Sequence, residues 1–283
     1  MRSYRMRDLR PMSVAGTWYP AAADDLEVEV ERCLSGVSIA EMPPALAIVA
    51  PHAGLKYSGP VAAFAYKAAS ARRYSAALLV GPSHFVAFNG VSIWPRGAWQ
   101  TPFGPVRVAE DLAARIVEVT SEVAEHRDAH GREHSLEMQL PFIAHLLPGM
   151  PIVPMVMGFQ SRETAFALGD AIASAFAPAT ADTRAERVLL VASSDLSHFH
   201  DARTAAQMDS VVLQRVERLD ADGLMQVLEE EPQHACGGGP IVSVLHAAKQ
   251  LGAKHARVLK YGDSGDVSGD KQSVVGYMAA AIW

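Results

Sequence analysis

Three stretches of this chain climb through apolar residues and then deliver a histidine. LAIVAPHAGL (46–55) reaches His52, AALLVGPSHF (76–85) reaches His84, and VLLVASSDLSHFH (188–200) ends on Asp195, His198 and His200. Neutral imidazole is the commonest metal ligand in proteins. A metal site needs donors held in fixed directions, and the end of a buried strand is a stiff mount. Pro51 and Pro82 restrict the backbone beside the first two histidines. One histidine after a strand is most often an ordinary packing residue. Three with the same placement argue for one shared cleft. His126, His130, His145, His234, His246 and His255 carry no such pattern.

Other groups could join that cleft. Cys236 lies in HACGGGPIVSV, just before a glycine-led helix whose amino end would favour a thiolate. Thiolate binds iron, copper(I) or zinc, and a packed cysteine in a tight turn is the equal alternative. Asp195 and His198 stand three residues apart. If the segment turns helically, both face one cleft, and the carboxylate can orient the imidazole as a general base or proton shuttle. A capping role for Ser194 or Asp195 is the bland reading. EHSLE places Glu133, His134 and Glu137 at the start of an apolar helix, as caps or as supports behind a metal ligand. YGDSGDVSGD lacks the spacing of a calcium loop and reads as a turn on the rim of the site.

The elements that must position these residues follow from the pattern. Residues 45–50, 76–80, 151–157 and 187–192 read as short buried strands, and SVVGYMAAAIW as a closing strand. Helices are expected over 22–36, 58–70, 108–124, 161–176 and 237–252, with long helical stretches up to about 230 and a break at Pro141. Ser58 would cap the second helix, with Pro60 in its first turn. Strands alternating with helices predict an α/β protein with a largely parallel or mixed sheet flanked by helices. Ligands of such sheets gather at the carboxyl ends of the strands, where these histidines fall. One domain over 13–283 is expected, after a flexible arm over 1–12.

Composition narrows the function. The 283 residues are 49% hydrophobic and 20% charged, with net charge −6, which argues against a nucleic-acid partner. Two cysteines suit a reducing cytoplasm, and no stretch has the length of a membrane span. No GxGxxG or P-loop is present, which counts against nucleotide chemistry.

AGTWYP, APHAGLKYSG, GPSHF, EHSLEMQLPF, SSDLSHFH and ACGGGPI occur in this order, and SGDVSGDKQSVVGYMA closes the chain. Together they resemble the Memo family (mediator of cell motility), whose prokaryotic members are labelled AmmeMemoRadiSam system protein B. The resemblance covers about residues 13–283. It implies a fold similar to the class III extradiol dioxygenases, which carry non-haem iron(II). Carried onto this sequence, it makes His52, His84 and Cys236 the metal ligands, with Asp195 and His198 flanking the metal as catalytic groups. Iron(II) is the expected metal, with copper or zinc as alternatives. A soft thiolate in place of the dioxygenases' carboxylate shifts preference toward copper, zinc or thiolate–iron chemistry. The family often has arginine after the cysteine, where this chain has Gly237. The implied function is dioxygenase-like redox chemistry on a small molecule. The alternative is a non-catalytic metal- or peptide-binding module, accessory to a radical-SAM system with AMMECR-type partners.

Overall fold

The computed structural model describes residues 8–176 and 187–283. Twelve strands are found among them. They are β1 (Leu9–Arg10), β2 (Ala47–Ala50), β3 (Ala76–Pro82), β4 (Val91–Ile93), β5 (Ala98–Trp99) and β6 (Val106–Arg107), then β7 (Val123–Glu125), β8 (Ile152–Met157), β9 (Val188–Ser193), β10 (His198–His200), β11 (Ala256–Asp263) and β12 (Val274–Ile282). The helices are α1 (Ala23–Leu34), α2 (Leu55–Ala69), α3 (Glu110–Val119), α4 (Asp128–Gly131) and α5 (Leu140–Leu146). They continue with α6 (Arg162–Phe176), α7 (Ala202–Glu217), α8 (Ala221–Glu230), α9 (Gly238–Gln250) and α10 (Gly265–Ser268).

The main sheet is mixed. β2, β9, β3 and β8 form a central parallel block. β12 joins β2 antiparallel on one side, and β4 joins β8 antiparallel on the other. The parallel strands are buried on both faces, so they are continuously apolar. In β3, Leu78 and Val80 face a core with α3 and α6–α9, while Ala77 and Leu79 face a second core with α1, α2 and α5. This two-residue alternation puts helices on both faces of one sheet, as expected for a single α/β domain.

Several local expectations change. The arm predicted over residues 1–12 is docked from Asp8 onward, and residues 1–7 lie outside the described part. β1 pairs with β5, and Arg10 is buried in an ion pair with Glu137. A basic, polar segment reads as loose until its partner 127 residues away is known. Gly97, at φ 86°, lets this segment pass, since a Cβ there would lie 1.9 Å from the Asp8 carbonyl. The second helix begins one turn early, at Leu55, so Pro60 lies inside it. Ser58 donates to the Ala53 carbonyl instead of capping. The predicted helix over 108–124 stops at Val119, and β7 follows. β11 had no sequence expectation. The break at Pro141 is real: a 3-10 turn over Glu137–Gln139 precedes α5, with Pro141 in its first turn.

Candidate metal centre

β2, β3 and β9 end side by side, and their carboxyl ends deliver His52, His84 and Asp195 to one cleft. His52 is buried and held from three sides. Its backbone N–H donates to Asp195 Oδ1 at 2.7 Å, and its Nδ1 lies 2.9 Å from Ser193 Oγ. The Ser193 hydroxyl gives its one proton to the Ser135 carbonyl at 2.6 Å and accepts from Gln139 Nε2 at 2.7 Å. It can therefore only accept from His52, which puts the imidazole proton on Nδ1 and leaves Nε2 with a lone pair. Burial, reinforced by nearby His84, pushes the His52 pKa down to about 3, so the ring is neutral, as a ligand must be.

His84 is fixed by a carboxylate. Its backbone N–H donates to Glu133 Oε2 at 2.6 Å and its Nδ1–H to Oε1 at 2.9 Å. Glu133 also accepts from the N–H groups of His134 and Ser135. Burial alone would raise the Glu133 pKa; the hydrogen bonds from His84 and from these backbone groups outweigh it and hold the pKa at about 2. A carboxylate on the far nitrogen of an imidazole raises its basicity as a ligand and fixes its tautomer.

The third ring is His134. It stacks on His84 with centroids 4.6 Å apart and an interplanar angle of 15°, and lies 5.6 Å from the His52 ring. Burial, with His52 beside it, lowers its pKa to about 4. One ring nitrogen from each of His52, His84 and His134 falls within 4.8 Å of the others. Three imidazoles in that space fit a transition metal by donor chemistry. Metal–imidazole bonds of about 2.0–2.1 Å would draw the rings inward from this spacing.

The structure thus brings His134 into the cluster where the sequence suggested Cys236. The thiol is not remote: Cys236 Sγ is 3.2 Å from His52 Nε2 and accepts from the Asp195 N–H at 3.3 Å. Its hydrogen-bond contact with the trio is to His52, and it is not part of the three-nitrogen cluster. Burial, reinforced by Asp195, pushes the thiol pKa well up. Gly237 next to it has no room for a side chain, because a Cβ would lie 2.4 Å from the Ser193 carbonyl. The backbone of the cysteine turn is pressed onto the end of β9.

Asp195 and His198 do not share a helical turn. The chain stays extended after β9 and enters β10, which pairs with β12 through an irregular register. Asp195 is no cap; it holds the His52 and Ala53 amides, and burial raises its pKa against their pull. His198 is half-buried and donates from Nδ1 to the Leu196 carbonyl at 2.8 Å, leaving Nε2 open. Its charge would be felt at both His52 and Asp195. Phe199 beside it has φ 64°, a left-handed backbone that is strained for a bulky residue, and its ring is exposed at 75%.

Glu137 supports the site from outside the cleft. Its carboxylate takes the Arg10 guanidinium at 2.6 Å, the Tyr19 hydroxyl and the N–H groups of Ser13 and Val14. This pins the amino-terminal segment so that Trp18 packs on His134, with ring centroids 4.2 Å apart. Arg10 also donates to the carbonyls of His130 and Glu133, bracing the loop that carries the His84 support. The rim turn over 261–271 lies close by: Val267 lines, with Trp18, Leu55 and Lys56, an open depression of about 490 Å³. Of the supporting groups, Glu133 is expected from EHSLE, whereas Ser193 and Gln139 carry no such signal. The one available signal was Glu133 immediately before His134, a carboxylate–histidine neighbour pair.

Comparisons with known proteins agree with this architecture. Residues 10–281 match the family model described as Memo-like protein. A MEMO1 family protein of Methanosarcina mazei is 37% identical over 276 residues, covering 97% of this chain and 99% of its own. One from Ignicoccus hospitalis is 36% identical, covering 96% and 97%, and one from Thermotoga maritima is 34% identical, covering 97% and 99%. A crystal structure of an uncharacterized protein from Escherichia coli K12 superposes with a TM-score of 0.54 at 18% identity, covering 82% of this chain and 98% of that one. That likeness is one of fold. No described helix is long and apolar enough to cross a membrane.

Proposed function

The chain belongs to the Memo family, and from that premise we propose that it is a metal-binding protein whose ion is held by His52, His84 and His134. The observation that carries this reading is the convergence of three imidazoles from separate segments, two of them with their free nitrogen already fixed by Ser193 and Glu133. Iron(II) is our first choice, with copper or zinc as the competing ions; all three accept imidazole ligands. A bound ion supplies Lewis acidity and, if it is iron or copper, a redox step for dioxygenase-like chemistry on a small molecule.

The chain's own groups have separable tasks. Ser193, backed by Gln139, keeps the His52 proton on Nδ1. Glu133 does the same for His84 and adds negative charge behind the site. Asp195 holds the backbone of His52 in place. His198, with Nδ1–H fixed on Leu196, can accept a substrate proton at Nε2. Trp18 and Phe85 wall His134 and keep water from its face.

The test is oxygen uptake by anaerobically purified, metal-quantified protein across a panel of phenols and catechols. Turnover that falls in His198→Ala while metal content stays constant supports the enzyme reading. Full metal occupancy with no uptake would instead favour a recognition module in the cytoplasm for a small molecule or peptide. The radical-SAM and AMMECR-type partners that the resemblance implies are tested by co-purification.

A further inference from the structure

The opposite pole of the sheet holds a second cavity. The turns that lead into β3 and β8 enclose about 680 Å³, within the range of small-molecule sites. β3 is seven residues long, so this cavity lies roughly 20 Å from the strand ends that carry the histidines. Arg72, Arg73 and Arg107 line it, and no described lining residue is a carboxylate. None of the three arginines forms an ion pair with a described residue. Arg72 Nε is buried from solvent and has no hydrogen-bond acceptor among the described residues. Leu147 and Met150, 9% and 7% exposed, form an apolar part of the lining.

One role for arginines here is to offset the carboxyl ends of α2 and α5, which both lie at this pole. Exposed guanidiniums such as Arg73 and Arg107 suffice for that. It does not account for Arg72, because a buried N–H without an acceptor costs about 1–3 kcal/mol. An anionic occupant would remove that cost. Three guanidiniums and no lysine favour planar, two-point recognition of phosphate oxygens over a single point charge.

We propose that this cavity binds a phosphorylated small molecule of diphosphate type, its phosphates held by Arg72, Arg73 and Arg107 and its apolar portion against Leu147 and Met150. The site is independent of the metal centre and of the function assigned to it. Its distance from the histidines suits an anchoring or regulatory ligand.

The probe is inorganic pyrophosphate, titrated calorimetrically into the full chain as purified. We expect one pyrophosphate per chain, with affinity falling about tenfold to hundredfold in Arg72→Gln and in Arg107→Gln. His52→Ala should bind pyrophosphate like wild type, since the cleft is not involved. Arg107 is exposed, so Arg107→Gln carries the test should Arg72→Gln fail to fold. No binding by wild type would overturn the proposal. So would loss of binding in His52→Ala, which would send the anion to the cleft, or glutarate binding as tightly as pyrophosphate.

Discussion

His52 and His130 are both fully buried, and burial drives the pKa of each down to about 3. Their surroundings differ in the way that matters for chemistry. Both ring nitrogens of His52 have partners: Ser193 behind, and Cys236 on the side that faces the cleft. Neither ring nitrogen of His130 has a hydrogen-bond partner among the described residues. His130 sits edge-on to Trp94 and Trp99, with centroids 5.9 and 5.7 Å away, and neither indole N–H has a hydrogen-bond partner among the described residues. What His130 contributes is its carbonyl, which accepts from Arg10 Nε at 2.8 Å. A lowered histidine pKa therefore marks burial. A ligand is marked by a fixed tautomer and an open side shared with other donors.

The sharpest way to break this contrast is to remove each ring. His52→Ala is expected to abolish stoichiometric metal binding, whereas His130→Leu should leave it intact; dialysis followed by metal quantification reads both. Equal losses would mean that the aromatic box, too, belongs to the site. Next in size is Glu137→Gln, which leaves the Arg10 charge buried and unpaired. Denaturant unfolding should show a loss of about 3–5 kcal/mol, the range for breaking a buried pair. A change below 1 kcal/mol would show that Arg10 finds another partner and that the loop over 130–133 needs no clamp.

How far the sequence reached depends on where each signal lived. Apolar runs of strand length located β2, β3, β8 and β9, and their ends located His52, His84 and Asp195, because a parallel strand buried on both faces leaves a local signature. His134 has none. It precedes a 3-10 turn, and only tertiary packing stacks it on His84. The glycine-led helix points to Cys236, and it does reach His52, but it is not part of the three-ring cluster. EHSLE suggests Glu137 as a support close to the cleft; its partner, Arg10, lies in the segment whose composition predicts a loose arm. The helical pattern over 108–124 runs into β7 because Val123 and Ala124 continue its mix of charged and apolar types. Family membership and the mixed α/β fold are as expected from the motifs.

A smaller effect is expected at Glu133. Glu133→Gln keeps the shape but removes the carboxylate behind His84, and should weaken metal affinity about 10–100-fold with little change in unfolding. An unchanged affinity would reduce Glu133 to a loop staple. A last prediction concerns acid. His52, His130 and His134 are neutral in the fold, with pKa values lowered to about 3, 3 and 4 from 6.5. The unfolded chain binds protons first, so stability is complete above about pH 6.5 and declines as pH falls toward the folded values. Each histidine removes about 1.4 kcal/mol at one pH unit below its free value. Melting of metal-free protein from pH 7.5 to 5.5 checks this, and a flat profile would mean that these rings are charged and paired.

The most direct test of the central claim sets His134 against Cys236. Metal per chain is measured in wild type, His134→Ala and Cys236→Ala after identical anaerobic purification and reconstitution. The account predicts about one metal per chain in wild type and in Cys236→Ala, and a loss in His134→Ala. Metal retained without His134 and lost without Cys236 would contradict it, and would make the thiolate the third ligand.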